Sequence, residues 1–283
     1  MTKKPTLAML VMLALLVICI AANMVHGKAG VAGFFVGGGR PQTWLVTLGL
    51  IAAMLVVAGY AVCGRWDGIF IDKDNRISLS RFQLVGWTIL LVSALLTAGL
   101  TNAAAPADPG PLLITIPEQI WALLGLGAFT AVASPAIKDG KRNPPPAGGG
   151  RQSGPAPATA EQNRVAENVK DQQALSAEVT FDNHVLKKAL PADARWIDLI
   201  MGDYEGAANV DISKLQQLAF TLMLIAIYAM DLMAVFASQG AITPTHPNGT
   251  NAIHVFPTID GGFIALLGIS HATYLADKQI AAT

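Results

Sequence analysis

The apolar residues of this chain are gathered into blocks of nearly uniform length: Leu7–Val25, Trp44–Cys63, Phe82–Ala104, Glu118–Ile137, Leu215–Ala237 and Gly262–Lys278. A bilayer selects that pattern, because about 20 apolar residues rising ~1.5 Å each cross its ~30 Å hydrocarbon core. Backbone N–H and C=O groups have no water to turn to in lipid, so such blocks fold as helices. Composition agrees: 53% of the 283 residues are hydrophobic and 13% are charged, against about 25% charged in soluble domains. The expected fold is an all-α polytopic transmembrane bundle of six spans, the last being the shortest.

Basic residues set the orientation. Arg65, Lys73, Arg76 and Arg81 lie between blocks two and three, and ten more fall from Lys138 to Lys214. Ala105–Pro117 and Ser238–Asp260 contain none. Positive charge is retained on the cytoplasmic side, so these two loops face out. Lys3, Lys4 and Lys278 then place both termini in the cytoplasm, with Lys28 and Arg40 running against the rule. Lys3–Lys4, the apolar run and Ala21–Ala22 also fit a cleavable signal peptide, which would leave five spans. The run is long for that purpose, which favours an uncleaved first span.

The polar middle divides in two. Lys138–Ala160 is rich in Pro and Gly and reads as a flexible linker. From Glu161 to about Leu190 the expectation is a polar, loosely amphipathic helix. Arg195–Met201 then places Trp196, Ile197, Ile200 and Met201 near one helical face, reading as a short interfacial helix anchored by Trp196. The organisation expected is a two-span hairpin over 1–64, a transmembrane hairpin over 65–137 and a linker over 138–160. A cytoplasmic helical segment over 161–210 and a second transmembrane hairpin over 211–283 complete it.

The chain resembles itself. Ile77–Thr88 (ISLSRFQLVGWT) aligns with Val210–Thr221 (VDISKLQQLAFT), and Ala122–Gly127 (ALLGLG) aligns with Ala265–Ser270 (ALLGIS). Spans three and four, and spans five and six, therefore read as two copies of one hairpin. Ser80 with Gln83, and Ser213 with Gln216, have capping-box spacing where each helix enters lipid. Arg81 and Lys214 stand at the boundary, within reach of lipid phosphates. Both copies run in the same sense, the parallel arrangement of some transporters, but structural four-helix cores share that symmetry.

The segment from Arg195 through Asp211 and Ser213, with the Ser-x-x-Gln hairpins, resembles stretches of uncharacterised bacterial inner-membrane proteins. The likeness covers about half of the chain and rests on structural motifs. It implies a bacterial inner-membrane location and carries no activity with it.

Ionisable residues inside spans are costly and stand out as functional candidates. Asp231 lies ~9 Å below the outer end of span five, and His271 ~15 Å below that of span six. With Tyr228 and Tyr274 they form either a protonatable relay or a structural polar pair; the first hairpin has Ala98 and Ala128 instead. His246, His254 and Asp260 match no metal-ligand spacing, so no metal is assigned. Asp72-x-Asp74-Asn75 opens like a calcium loop but has Ile77 at the glycine position, and reads as a turn. Cys19 and Cys63 form no disulfide framework.

No phosphate-cradling loop, nucleophile elbow or zinc-protease motif appears, so no enzyme activity and no cofactor are assigned. The zero net charge gives no ground for nucleic acid as a partner. Membrane lipids, other membrane proteins or further copies of the chain remain. Two functions compete: a non-catalytic scaffold or assembly component acting through its spans and cytoplasmic segment, and a proton- or ion-coupled transporter or channel subunit using Asp231 and His271.

Overall fold

The computed structural model describes residues 10–15, 17–18, 40–104, 112–142, 179–182, 185–204, 209–238 and 253–280. These residues are mostly helical. The long helices are α1 (Arg40–Cys63), α2 (Leu79–Ala104), α3 (Glu118–Arg142), α4 (Ile212–Ser238) and α5 (Gly261–Ile280). Among the described residues four helices are long and apolar enough to cross a membrane: Arg40–Cys63, Leu79–Ala103, Glu118–Gly140 and Ile212–Ala237. The chain is a multi-pass membrane protein. Helix α5 is not among these four, and its buried stripe carries Ser270, His271, Tyr274 and Lys278. Of the first apolar block only 10–15 and 17–18 are described, as helix. Most of the Pro/Gly linker, the stretch 161–178 and His246 lie outside the described residues.

The chain divides into two compact units. The first comprises Met1–Ile69, Val85–Leu123 and Met223–Phe263. Trp44 anchors it, donating its indole N–H to Ser93 Oγ at 3.0 Å and stacking on Phe236 with ring centroids 5.4 Å apart. Asn102 is fully buried; its amide donates to the Ile253 carbonyl at 2.9 Å and accepts from the Ile253 N–H at 2.8 Å. That pairing pins the segment before α5, which Thr115 and Val255 hold further through an isolated parallel bridge. After α1 the chain doubles back against Gly59: a Cβ there would meet the Ile69 backbone nitrogen at 2.4 Å.

The second unit comprises Phe70–Leu84, Leu124–Leu222 and Ile264–Thr283. Its small apolar core joins Ile71, Ile77, Leu79, Ala194 and Leu199, with Phe70, Phe82, Ile200 and Leu218 packed against it. The helix expected up to Leu190 is overturned over its last part. Val179–Asp182 (β1) and Val185–Lys188 (β2) pair as an antiparallel hairpin, with Phe181 opposite Leu186. Val179 and Phe181 alternate with Thr180 and Asp182, and that period of two suits a strand. Strand β2 is held further by Leu186 N–H donating to the Asp203 carbonyl (2.9 Å) and Lys188 N–H to the Asp74 carbonyl (3.0 Å). The expected interfacial helix is instead a single 3₁₀ turn, Trp196–Leu199, in which Asp198 and Leu199 are buried. Trp196 rests on Phe70 and Phe82, at centroid distances of 5.5 and 6.4 Å, with 40% of its surface exposed.

Helices α2 and α4 are entered in the same way. A 3₁₀ turn precedes each, and a single antiparallel bridge closes each loop: Ile71 with Ile77, and Met201 with Val210. Ser78 N–H then donates to the Phe70 carbonyl (2.9 Å), as Asp211 N–H does to that of Ile200 (2.8 Å). The basic residue of the first turn donates back to the bridge carbonyl: Arg81 to Ile71 at 2.7 Å, Lys214 to Met201 at 2.6 Å. These entries correct the capping boxes. The carboxylate of Asp211 accepts the Lys214 N–H at 3.1 Å and caps α4, while Ser213 lies inside the first turn and donates to Asp211 and Asp277. The buried Ser80 hydroxyl has no hydrogen bond among the described residues. The helices start one residue before those serines, so the capping position falls at Ser78 and Asp211.

Candidate functional site

The feature of the second unit with most chemistry is a carboxylate surrounded by cations. Asp203 follows the bridge residue Met201 and is 6% exposed. Its Oδ1 lies 2.8 Å from Lys214 Nζ, 3.0 Å from Arg76 Nη1 and 3.5 Å from Lys138 Nζ, and its Oδ2 lies 2.8 Å from Lys278 Nζ. These cations come from four places: the loop before α2, the last turns of α3, the first turn of α4 and the last turn of α5. Lys138, Lys214 and Lys278 each stand at or near one end of their helix, and one acid between those ends meets all three.

The cluster extends outward. Lys138 also reaches Asp74 at 3.2 Å and Asp72 at 3.5 Å. Lys188 donates to both oxygens of Asp198 at 2.9 Å, and Arg76 Nε lies 3.9 Å from the same carboxylate. Arg76, Lys138, Lys188, Lys214 and Lys278 are each at most 4% exposed. Burial at that level is tolerable for a charge only when it is paired. Burial pushes the Asp203 carboxyl up, but Lys138, Lys214, Lys278 and Arg76 together outweigh it and hold the group well below the ordinary value. Burial likewise opposes the charge on Arg76, yet Asp203 and Asp198 hold the guanidinium above its ordinary value. Lys188 goes the other way: burial outweighs Asp198 and lowers its ammonium.

Two polar ladders run along the helices. Between α3 and α5, Thr130 Oγ1 meets His271 Nδ1 at 2.5 Å, Ser134 Oγ meets Tyr274 at 3.3 Å, and Lys278 donates to Ser134. The Lys278 ammonium also lies 4.5 Å from the Tyr274 ring centre. Between α2 and α4, Gln83 donates to Thr221 at 2.7 Å and accepts from Gln217 at 3.2 Å. A cleft of about 130 Å³ opens beside the first ladder, lined by Asp72, Lys73, Asp74, Ser78, Arg81 and Ser134 among others.

The expected site residues separate. His271 and Tyr274 join the α3–α5 ladder. Asp231 and Tyr228 belong to the first unit, where an exposed Asp231 lines a smaller hollow of about 90 Å³ with Thr258 and Asp260. The Tyr228 hydroxyl donates to the Pro257 carbonyl at 3.3 Å, and its ring lies 6.2 Å from that of Trp87. Gln83 faces α4 and does not fold back as a cap; Gln216 is exposed, and its neighbour Gln217 takes the buried place. Arg81 is exposed, but Lys214, expected beside it as a lipid anchor, is buried as an internal ion-pair partner, because Asp203 offers it a carboxylate where it enters. The Asp72–Arg76 turn is as expected, with Asp72 Oδ1 accepting the N–H groups of Asp74 (2.8 Å) and Arg76 (3.2 Å). No group of three His, Cys, Asp or Glu positioned for a metal occurs among the described residues.

Sequence reasoning does not reach Asp203, Arg76, Lys138, Asp198, Lys188 or Lys278 as one cluster. One signal pointed to it. Arg65–Trp66 and Arg195–Trp196 stand at equal distances before Ile71 and Met201, so the likeness between the two segments begins earlier than Ile77 and Val210. Carrying it upstream brings the loops that hold Asp72, Asp74 and Asp203 into comparison. No protein-family model matches the chain, and no curated protein or solved structure matches it.

Proposed function

We propose that the chain is a non-catalytic scaffold or assembly component of a bacterial inner membrane, acting through its spans and its cytoplasmic segment. The observation that carries this reading is the Asp203 cluster. One carboxylate ties the ends of α3, α4 and α5 to the loop before α2. A charge cluster matched in this way fixes helix register and leaves no carboxylate of the cluster unpaired to carry an ion. The reading takes the chain as six spans with both ends in the cytoplasm and with spans three to six as a duplicated hairpin. The matching entries of α2 and α4 support the duplication, and the cations gathered around Asp203 support the orientation. No enzymatic activity is proposed.

A second reading, proton or ion coupling, is favoured by the α3–α5 ladder, which carries His271 and Tyr274 along a buried face. Purified protein in liposomes decides between them. A scaffold gives no pH- or ion-driven flux under any gradient. Flux that disappears in Asp231→Asn or His271→Ala would sink the scaffold reading. For orientation, a cysteine at Thr250 should label from outside and one at Gly149 should not; the reverse pattern inverts the topology.

A further inference from the structure

The two helix entries are built alike but balanced differently. In each, the basic residue of the first turn donates to the carbonyl of its own bridge residue. Lys214 is buried and has the Asp203 carboxylate at 2.8 Å. Arg81 is exposed, and among the described residues it has no carboxylate partner; its one hydrogen bond there is to Ile71. Counted from the bridge, Asp203 is the second residue after Met201, and the second residue after Ile71 is Lys73. Where one copy supplies an internal anion, the other supplies another cation.

Arg81, Lys73 and Ser78 line the cleft of about 130 Å³, roomy enough for a small polar group. Asp72 and Asp74 line it too, but their charge is engaged inward: both reach Lys138, and Asp72 Oδ1 holds two backbone N–H groups. Lys73 is paired at the surface with Asp139. Arg81 is therefore a tethered guanidinium with donors to spare. Its planar fork suits bidentate binding of a phosphate better than an ammonium does.

We propose that this cleft binds a phosphate group through Arg81, assisted by Lys73 and the Ser78 hydroxyl, in the place that the Asp203 carboxylate takes in the second copy. The phosphate belongs either to an anionic lipid headgroup or to a small soluble phosphate. The proposal needs Arg81 at the headgroup level only in the lipid case, and it is independent of whether the protein is a scaffold or a transporter.

The test uses the full-length protein with two probes. Phosphatidylglycerol retention is measured by native mass spectrometry from nanodiscs of mixed phosphatidylglycerol and phosphatidylcholine, and inorganic phosphate is titrated calorimetrically in uncharged detergent. Arg81→Gln should weaken the productive probe by about tenfold, the scale of one charge-assisted contact. Arg81→Lys keeps the charge and, as Lys214 shows, the tether; it should weaken the probe less, and it decides the matter if the glutamine variant fails to fold. Lys214→Gln should leave both affinities unchanged. Lipid retention that phosphate does not compete away assigns a headgroup; competition assigns a soluble phosphate. If neither probe binds, or if binding is the same in wild type and both Arg81 variants, the proposal is overturned.

Discussion

Replacing Asp203 with Asn removes one charge with little change of shape, and the structure says which partners are left stranded. Lys138 keeps Asp74 at 3.2 Å and Asp72 at 3.5 Å, and Arg76 keeps Asp198 at 3.9 Å and the Gly202 carbonyl at 2.8 Å. Lys278 keeps the Ser134 hydroxyl and the Tyr274 ring. Lys214 keeps the neutral Met201 carbonyl, and Asp203 is its one carboxylate among the described residues. Breaking a buried pair costs about 3–5 kcal/mol, most of it from the charge left behind. Two cations retain acids, so the expected loss is near the lower limit, about 3 kcal/mol. That is a large part of a typical stability of about 5–15 kcal/mol. It corresponds to a fall of roughly 6–12 °C in Tm for a chain of this size. Thermal unfolding in detergent, followed by tryptophan fluorescence, measures it. Adding Lys214→Met to Asp203→Asn should recover part of the loss, because removing both partners is far cheaper than removing one. A loss under about 1 kcal/mol, the level of an exposed ion pair, would refute the claim that these cations depend on Asp203.

The same carboxylate predicts a pH dependence. Its folded value lies below its unfolded one, so its contribution is complete above about pH 4 and is lost as pH falls further; the gap between wild type and Asp203→Asn should stay constant from pH 8 to 5 and narrow only in more acid solution. Gly59→Ala should destabilise by about 1–3 kcal/mol in thermal melts, because its Cβ would meet backbone that cannot swing away, at 2.4 Å. Asn102→Ala should cost about 1–3 kcal/mol by orphaning both backbone groups of Ile253, and amide exchange should rise first around Ile253–Phe256.

The long apolar helices were legible because the bilayer imposes one length and one composition on any segment that crosses it. The entry of α2 at Leu79 and of α4 at Ile212 was legible to within a few residues, while the capping positions fell at Ser78 and Asp211 and not at Ser80 and Ser213. A carboxylate or hydroxyl two positions upstream competes for the same N–H groups, and spacing alone does not rank them. The hairpin β1–β2 was illegible for a related reason: its strands are four residues each, and Lys187 and Lys188 resemble a solvated helix face. The Asp203 cluster was hidden most deeply. Its members are scattered from Asp72 to Lys278, and each by itself is an ordinary charge at the edge of an apolar block. Only the fold sums them.

Helix α5 has a consequence for how the protein is made. Its stripe of His271, Tyr274 and Lys278 spans about 10 Å of helix and is matched by Thr130, Ser134 and Asp203. Presented to lipid alone, those groups would meet hydrocarbon without partners, which opposes entry into the bilayer. On the proposed topology α5 therefore enters as a client of α3, and a nascent chain lacking α3 should leave α5 stalled at the membrane surface. Biogenesis is then ordered by chemistry: the last helix is admitted only once an earlier one is there to receive it.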